Sequence, residues 1–435
     1  MLSPGVIIDL TIEKPAAGGR MVARHEGMVV LVHAAIPGER VRAVVERVGQ
    51  GVGYATVVEV IDPSPDRRTG IRDWACGGNV YAHVAYPRQL VLKSDVIADA
   101  LGRIGKIRLD SAVPVTGSPE EGYRMRARFH VRGRMLGYFR EGTHGLCDPV
   151  GTRQLLPETG VLLGEVSERL RAGRLDGVTE IELSENAPAT ERAFHFELDR
   201  PSVPSGFAEI AAIPGVVGAT ASFGDRGRGG QAPVRRTVTA GSAYVVDALE
   251  LPRPGGAAVE VRLRHHAQAF FQSNRYLLAT LAARVVSLVP EGPVVDLYAG
   301  VGLFSASLAA SGWPSVVGVE GDRAAAADLR ANAEPYGPAF RAVEMAVEGY
   351  LAMHPVAGDA TVILDPPRTG MSREATAAVV AQKANRLVYV SCDVATFARD
   401  ARKLLDAGYA LAHIEAFDLF PNTAHVEVVA VFARG

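Results

Sequence analysis

An acidic residue and two glycines stand between a predicted buried strand and a predicted helix. Asp296 closes the apolar run GPVVDL, and Gly300 and Gly302 follow just before LFSASLAAS. Glycines let the backbone turn tightly and approach a ligand at the N-terminus of the next helix. A dinucleotide site would have a third Gly or Ala at 305, where this chain has Ser305. Because Glu320 ends the next strand and is placed to bond a ribose hydroxyl, the pattern favours an adenosine ligand without a pyrophosphate, such as S-adenosylmethionine, over a simple strand–helix turn.

A second motif, ILDPPR, ends a later apolar strand. Asp365 is followed by two prolines, which hold the loop rigid and extended where a substrate base would meet a methyl group. Methyltransferases that act on exocyclic amines commonly carry an aromatic residue after Asp-Pro-Pro, to stack on the base. Arg368 stands at that place in this chain, which argues against amine methylation. Taken alone, the motif is also compatible with a simple loop stiffener.

Two further residues could do covalent and acid–base chemistry. Cys392 comes just after the apolar strand RLVYVS, at the same predicted sheet edge as Asp296 and Asp365. A free cysteine is otherwise most often a small buried hydrophobe. His425 and Glu427 lie two residues apart and so share one strand face. Apolar surroundings would raise the pKa of Glu427 towards that of a general base, whereas on an exposed edge it would be a solvated charge.

Basic residues alternate with apolar ones in YRMRARFHVRGR. The even positions from 124 to 134 are all basic or histidine, and they are Arg124, Arg126, Arg128, His130, Arg132 and Arg134. Residues 103–140 hold nine basic and three acidic residues, although the whole chain has a formal charge of −2. One face of this strand is therefore predicted to bind phosphates.

The elements that must position these residues change character along the chain. Residues 6–61 contain short β-branched runs separated by Gly and Pro, which predicts a small antiparallel barrel. Residues 69–268 contain predicted helices at about 87–105 and 157–172, several strands, and an exposed Gly-rich loop at 222–233. From about 269 strands alternate with helices, which predicts a mostly parallel, doubly wound sheet with ligands at the carboxyl ends of its strands. We expect domains at 1–68, 69–268 and 269–435.

Composition excludes several classes of protein. The chain has 435 residues, 46 basic and 48 acidic, so it is no uniformly basic nucleic-acid coat. Only five of its basic residues are lysine. Three cysteines without a CxxC pair are too few for a disulfide scaffold or a zinc site, so each thiol is expected to have its own explanation in a reducing compartment. Without a basic-then-apolar leader or a run of roughly 18 apolar residues, we expect a cytoplasmic monomer that does not span a membrane.

In combination, these motifs resemble the RNA uracil-C5 methyltransferase family, in its TRAM-bearing branch that acts on 23S rRNA. The segments FFQSN, DLYAGVGLF, LDPPRTG, YVSCDVATFARD and FPNTAHVEVV match the family's motifs in order. Gly38 in AIPGE and the closing PSPDRR resemble the TRAM domain. The resemblance implies an α/β multidomain fold with an N-terminal OB-like TRAM β-barrel, a central α+β domain and a C-terminal class I (Rossmann-like) methyltransferase domain.

The resemblance also implies a mechanism and a set of site residues. The thiolate of Cys392 would attack C6 of the target uracil, Glu427 would remove the C5 proton, and Asp365 would take part in catalysis. The target base would leave its stack to reach the thiol. The residues expected at S-adenosylmethionine or uracil are Gln272, Asp296, Tyr298, Gly300, Gly302, Glu320 and Asp365. The TRAM barrel and Arg124, Arg126, Arg128 and Arg132 would bind RNA.

One departure from the family concerns metal. Many members hold a [4Fe-4S] cluster on four cysteines that include a CGGC run. This chain has Cys76-Gly-Gly-Asn79, Gly70 where another ligand is expected, and Cys147 without a clear counterpart. We therefore expect no iron–sulfur cluster and no other metal, with Cys76 as the remnant of a lost site.

Two alternatives to rRNA methylation stay open. One is a tRNA uridine in the T-loop, against which the TRAM domain argues. The other is an RNA-binding or RNA-folding protein with a vestigial catalytic domain. Such a protein would not need Cys392, Glu427 and Asp365 together.

Overall fold

The computed structural model describes residues 2–70, 73–225, 234–252 and 257–434, and its first 62 residues contain a closed five-stranded barrel. The strands are β1 (Ile7–Pro15), β2 (Met21–His25), β3 (Met28–His33), β4 (Arg40–Gly49) and β5 (Val52–Asp62). Alternate residues of β1, such as Ile8 and Leu10, point into the barrel core. The pairs are antiparallel, as predicted, except that β5 closes the barrel by pairing in parallel with β3.

One helix and one short strand connect the barrel to the rest of the chain. Helix α1 (Tyr86–Ala100) begins with a proline in its first turn and continues as a single π-helical turn through Gly105, so the helix predicted at 87–105 is confirmed. Lys106, in the left-handed conformation, ends it. Strand β6 (Val115–Thr116) follows.

The central region is a seven-stranded sheet covered by two helices. In chain order its elements are β7 (Arg126–Arg132), β8 (Met135–Phe139), β9 (Leu146–Cys147), α2 (Pro157–Arg171), β10 (Val178–Glu185), β11 (Arg192–Leu198), α3 (Phe207–Ile210), β12 (Val216–Asp225) and β13 (Val234–Gly241). The strand order is β13-β12-β11-β10-β7-β8-β9. Helix α2 confirms the helix predicted at 157–172. Of the loop predicted at 222–233, residues 222–225 belong to β12 and the remainder lies outside the described residues.

The C-terminal region opens with an antiparallel hairpin, β14 (Tyr244–Leu251) and β15 (Val259–His266), and continues as an alternating α/β chain. Its later elements are α4 (Leu278–Ser287), β16 (Val294–Leu297), α5 (Leu303–Ala310), β17 (Val316–Glu320), α6 (Arg323–Ala333), β18 (Phe340–Glu344), α7 (Val347–Met353), β19 (Thr361–Leu364), α8 (Arg373–Gln382), β20 (Arg386–Ser391), α9 (Val394–Asp406), β21 (Ala410–Phe417) and β22 (Glu427–Ala433).

These strands form a doubly wound sheet with the order β18-β17-β16-β19-β20-β22-β21-β6. The first five are mutually parallel, and β22 enters antiparallel between β20 and β21. Side chains of α4, α5 and α6 cover one face, and those of α1, α7, α8 and α9 cover the other. Thus α1 and β6, which fall in the predicted central range, pack on the C-terminal sheet. Among the described helices, none has the length and apolar composition needed to cross a bilayer.

Candidate active site

Strand register brings the candidate nucleophile and the candidate base together. Ser391, the last residue of β20, pairs with Val428 of the antiparallel β22. The next position along this ladder places Cys392 opposite Glu427. Directly opposed residues on antiparallel strands have Cβ atoms about 4.5–5.5 Å apart. The two side chains are therefore neighbours, although 35 positions separate them in the sequence.

Asp365 joins this pair from the other side. It directly follows β19, which runs parallel to β20, and its backbone N–H donates to the carbonyl of Leu297 at 3.3 Å. The carboxyl ends of β16, β19 and β20 therefore carry Asp296, Asp365 and Cys392 to one edge of the sheet, as the sequence predicted for parallel strands.

Cys392 is a free, partly exposed cysteine, and its surroundings shift the pKa of its thiol strongly upwards. Burial raises its pKa to about 12, with further increases from the negative charges of Glu427 and Asp365. The nearby positive charge of Arg368 opposes this shift. In the free protein Cys392 is therefore a neutral thiol at physiological pH, and it must lose its proton before it can act as a nucleophile.

The two carboxyls beside Cys392 hold their protons more tightly than usual. Loss of hydration raises the pKa of Glu427, and the neighbouring Asp365 raises it further. Burial likewise raises the pKa of Asp365, assisted by the charges of Asp296 and Glu320. A raised pKa brings proton exchange closer to neutral pH, which is the property that a general base at this place requires. His425 lies before β22 rather than on it, and burial lowers its pKa to about 4, so it is neutral.

A buried carboxyl with a free oxygen marks the predicted adenosine site. Asp296 is fully buried on β16, and burial raises its pKa to about 7. The hydroxyl of Ser305 donates a hydrogen bond to Oδ2 of Asp296 at 2.6 Å. The other carboxyl oxygen of Asp296, Oδ1, has no partner within the described part of the protein. Sequence reasoning treated Ser305 only as a missing glycine. The structure shows that its hydroxyl holds Asp296 in place.

The turn that contains Gly300 and Gly302 packs closely against the protein interior. Gly302 has a φ of 95°, and a Cβ there would lie 2.8 Å from Leu329. Glu320 Oε2 accepts a hydrogen bond from the backbone N–H of Gly300 at 2.8 Å, and its Oε1 accepts one from that of Asp322 at 2.7 Å. Glu320 thus fixes the turn, and its oxygens keep lone pairs for a ribose hydroxyl.

The remaining candidate ligand residues are Gln272 and Tyr298. Gln272 is buried in the segment after β15. Tyr298 adopts a left-handed φ of 62° and lines a cavity of about 520 Å³ together with Glu348, Met371 and Arg399. Carboxyls outnumber cations around Cys392, and the free Oδ1 of Asp296 is an unused acceptor. These residues fit a cationic adenosine ligand such as S-adenosylmethionine.

Basic and apolar residues alternate along β7, as predicted, but acidic residues on a neighbouring strand neutralise part of its positive charge. Arg126 and Arg128 each donate to Glu182 at 2.6 Å, and Glu180 bonds His130. Both glutamates lie on the adjacent β10. The side chain of Arg126 is only 17% exposed, so the prediction that it contacts RNA is weakened.

The rest of the basic face is divided between the interior and the surface. Arg124 is partly buried and donates to Gln154 at 2.8 Å. Arg132 is exposed and lies over the ring of Phe139 at 5.9 Å. Of the four arginines predicted to bind RNA, Arg128 and Arg132 are thus the two that are exposed.

Cys76 and Cys147 form a disulfide, with Cα atoms 5.7 Å apart. This corrects the expectation that each thiol has its own explanation, and it gives Cys147 a partner. Both residues are buried in the core of the central sheet. Within the described ranges, no group of three or more His, Cys, Asp or Glu side chains is arranged to hold a metal ion.

Reduction of this disulfide is expected to destabilise the central region. The bridge joins residues 71 positions apart, and opening a loop of that length costs about 4 kcal/mol in a chain-entropy estimate. Urea unfolding with and without dithiothreitol measures the difference. A Cys147→Ser variant is the control, because dithiothreitol should not change its unfolding further. Equal midpoints for the oxidised and reduced wild-type protein would contradict the expectation.

Comparisons with known proteins identify the family of the chain. Residues 357–434 match the family model described as tRNA (Uracil-5-)-methyltransferase, and residues 3–58 match the TRAM domain model. A 23S rRNA (uracil(1939)-C(5))-methyltransferase RlmD from Methylococcus capsulatus is 32% identical over 99% of this chain and 98% of its own length. The enzyme of the same name from Pseudomonas putida is 32% identical over 98% of this chain and 93% of its own.

A solved structure resembles the whole chain. The Pyrococcus abyssi tRNA (uracil-54, C5)-methyltransferase in complex with S-adenosyl-L-homocysteine superposes with a TM-score of 0.71 at 25% identity, covering 98% of this chain and all of the other. The fold class inferred from the sequence is thereby confirmed. The chain belongs to the RNA (uracil-C5) methyltransferase family, as an S-adenosylmethionine-dependent enzyme with an N-terminal TRAM domain.

Proposed function

We propose that the protein methylates C5 of uridine in 23S rRNA through a covalent bond between Cys392 and C6 of the uracil. The observation that carries this proposal is the pairing of Ser391 on β20 with Val428 on β22, from which Cys392 and Glu427 follow as the next two facing positions. A nucleophile for C6 and a base for C5 need to reach adjacent carbon atoms of one ring, and two opposed side chains can do so. The names of the relatives from Methylococcus and Pseudomonas describe activity on 23S rRNA, which supports rRNA as the substrate.

The nucleophile acts first. C5 of uracil is too weak a nucleophile to accept a methyl group unaided. Attack of the Cys392 thiolate on C6 moves the C5=C6 electron pair towards C5 and O4, which makes C5 enolate-like. The positive charge of Arg368 favours the thiolate over the neutral thiol, so the sulfur releases its proton to water more readily. S-adenosylmethionine, when bound, supplies an electrophilic methyl group on its sulfonium.

The base acts second. Once C5 carries both the methyl group and its original hydrogen, Glu427 removes that proton. The C–H electron pair re-forms C5=C6, the C6–S bond breaks, and Cys392 leaves as a thiolate. The burial that raises the pKa of Glu427 makes it a stronger base than an exposed carboxylate. Asp296, Glu320 and Gln272 would bind cofactor or uracil, and Asp365 would orient groups beside Cys392.

The RNA would lie across several regions of the chain. We assign backbone contacts to the TRAM barrel and to the exposed Arg128 and Arg132. A tRNA uridine is the second candidate substrate, because the matching family model and the Pyrococcus abyssi enzyme are both described by activity on tRNA.

The substrate is tested with purified protein and methyl-labelled S-adenosylmethionine. Unmodified 23S rRNA and tRNA transcripts are incubated separately, digested to nucleosides and examined for 5-methyluridine. We expect the label in 23S rRNA. Label confined to tRNA would establish the second candidate, and RNA binding without any 5-methyluridine would indicate a protein that binds or folds RNA.

A further inference from the structure

The loop before Glu427 is held by buried polar contacts from outside it. This loop, residues 418–426, joins β21 to β22. Phe417, the last residue of β21, pairs with Glu427, the first residue of β22. Asp418 is therefore the first loop residue beyond the pair that contains Glu427. Any shift of this loop would move the carboxyl of Glu427 relative to Cys392.

Lys93 reaches the start of the loop from α1. Its side chain is 1% exposed, and its Nζ donates to Asp418 Oδ1 at 2.5 Å and to the carbonyl of Phe420 at 3.1 Å. The carboxylate of Asp418 is fully buried and also accepts from the backbone N–H of Phe420 at 3.2 Å. Lys93 is one of only five lysines in the chain, and no other lysine in the described residues is buried.

Gln89, one helical turn before Lys93, holds the middle of the loop. Its Oε1 accepts from the backbone N–H of Asn422 at 2.9 Å, and its Nε2 donates to Asn422 Oδ1 at 3.0 Å. Asn422 has a left-handed φ of 64°. The same face of α1 thus contacts both Asp418 and Asn422.

Four consecutive loop carbonyls each accept a hydrogen bond from a different residue outside the loop. Their acceptor–donor pairs are Leu419 with Asn274 Nδ2, Phe420 with Lys93 Nζ, Pro421 with Tyr123 Oη and Asn422 with the backbone N–H of Tyr81, at 2.9–3.2 Å. The donors come from three separate parts of the sequence. Such a set of directional bonds fixes the course of the backbone more narrowly than apolar packing does.

We propose that Lys93 is a positioning residue that acts through Asp418 and the loop to hold Glu427 opposite Cys392 while the C5 proton is removed. This inference rests on the proposed function. Stability alone does not require such a pair, because a buried ion pair is often no more stabilising than apolar residues of similar volume. What the pair supplies is one defined path for the loop that carries the base.

A double variant tests this role without leaving a buried charge. Lys93→Met combined with Asp418→Leu removes both charges and keeps the space filled. We expect methyl transfer in the first turnover to stay within about threefold of wild type. We expect release of product to slow by ten- to a hundredfold, since a misplacement of about 1 Å can cost a hundredfold in rate. The methylated RNA–protein adduct should then accumulate on denaturing gels with ordinary uridine RNA.

Two further variants keep the test decisive. Lys383→Met, which removes an exposed lysine at the C-terminal end of α8, should behave as wild type. Lys93→Gln with Asp418→Asn keeps a neutral hydrogen-bonding pair, should accumulate less adduct than the apolar pair, and decides the matter alone if the apolar pair does not fold. Wild-type release, or transfer and release slowed equally, would overturn the inference. A wild-type protein that forms no 5-methyluridine would overturn the proposed function, and this inference with it.

Discussion

Replacing Cys392 with alanine abolishes methylation of RNA, with a loss of about four orders of magnitude or more in turnover. Without the thiolate, nothing adds to C6, and C5 stays too weakly nucleophilic to accept the methyl group. Binding of S-adenosylmethionine should change by less than about twofold, because its predicted contacts lie at Asp296 and Glu320. Incorporation of labelled methyl groups into RNA measures the first effect, and calorimetric titration with S-adenosylhomocysteine measures the second.

The matched control for this variant is loss of a different cysteine. Cys147→Ser opens the disulfide, but Cys147 lies on β9 of the central sheet and not on the sheet that carries Cys392, so the folded protein should keep methylating RNA. Turnover in Cys392→Ala at more than about a hundredth of the wild-type rate would show that the covalent mechanism is wrong.

Replacing Glu427 with glutamine stops the reaction after methyl transfer. The amide cannot take the C5 proton, so C5=C6 cannot re-form and Cys392 cannot leave. Overall turnover should fall by about 10²- to 10⁴-fold, the usual contribution of a general base. The methylated RNA should stay attached to the protein, and a denaturing gel with labelled methyl groups would show one slowly migrating band.

Glu415→Gln is the control for that variant. Glu415 lies on the neighbouring β21, where it pairs with Arg284 away from Cys392, so the same carboxylate-to-amide change there should leave turnover close to wild type. Rapid release of product by Glu427→Gln would mean that another group removes the proton.

Much of the catalytic domain could be predicted because the chemistry lies at strand ends. Asp296, Asp365 and Cys392 each follow an apolar run, and parallel strands bring their carboxyl ends to one edge. That Cys392 faces Glu427 could not be predicted from the sequence in this way. It depends on β22 entering antiparallel between β20 and β21, and strand periodicity does not reveal which strands become neighbours.

What sequence reasoning missed depends on contacts between distant segments. Glu182 neutralises Arg126 and Arg128 from a strand that begins some fifty residues later, so a face that is basic in one strand is mixed in the sheet. Cys76 and Cys147 meet across 71 positions. Lys93 was visible only as a rare lysine, and its role became evident through Asp418, which lies 325 residues away.

The central claim, that Cys392 bonds to the target uracil, is tested most directly with RNA that carries 5-fluorouridine at the methylated position. Fluorine at C5 cannot leave as a proton, so Glu427 cannot complete the elimination and the adduct should persist. After nuclease and protease digestion, mass spectrometry should find a methylated fluorouridine on the peptide that contains Cys392, and none in Cys392→Ala. A wild-type protein that methylates uridine RNA but forms no such adduct, or forms it at another residue, would contradict the account.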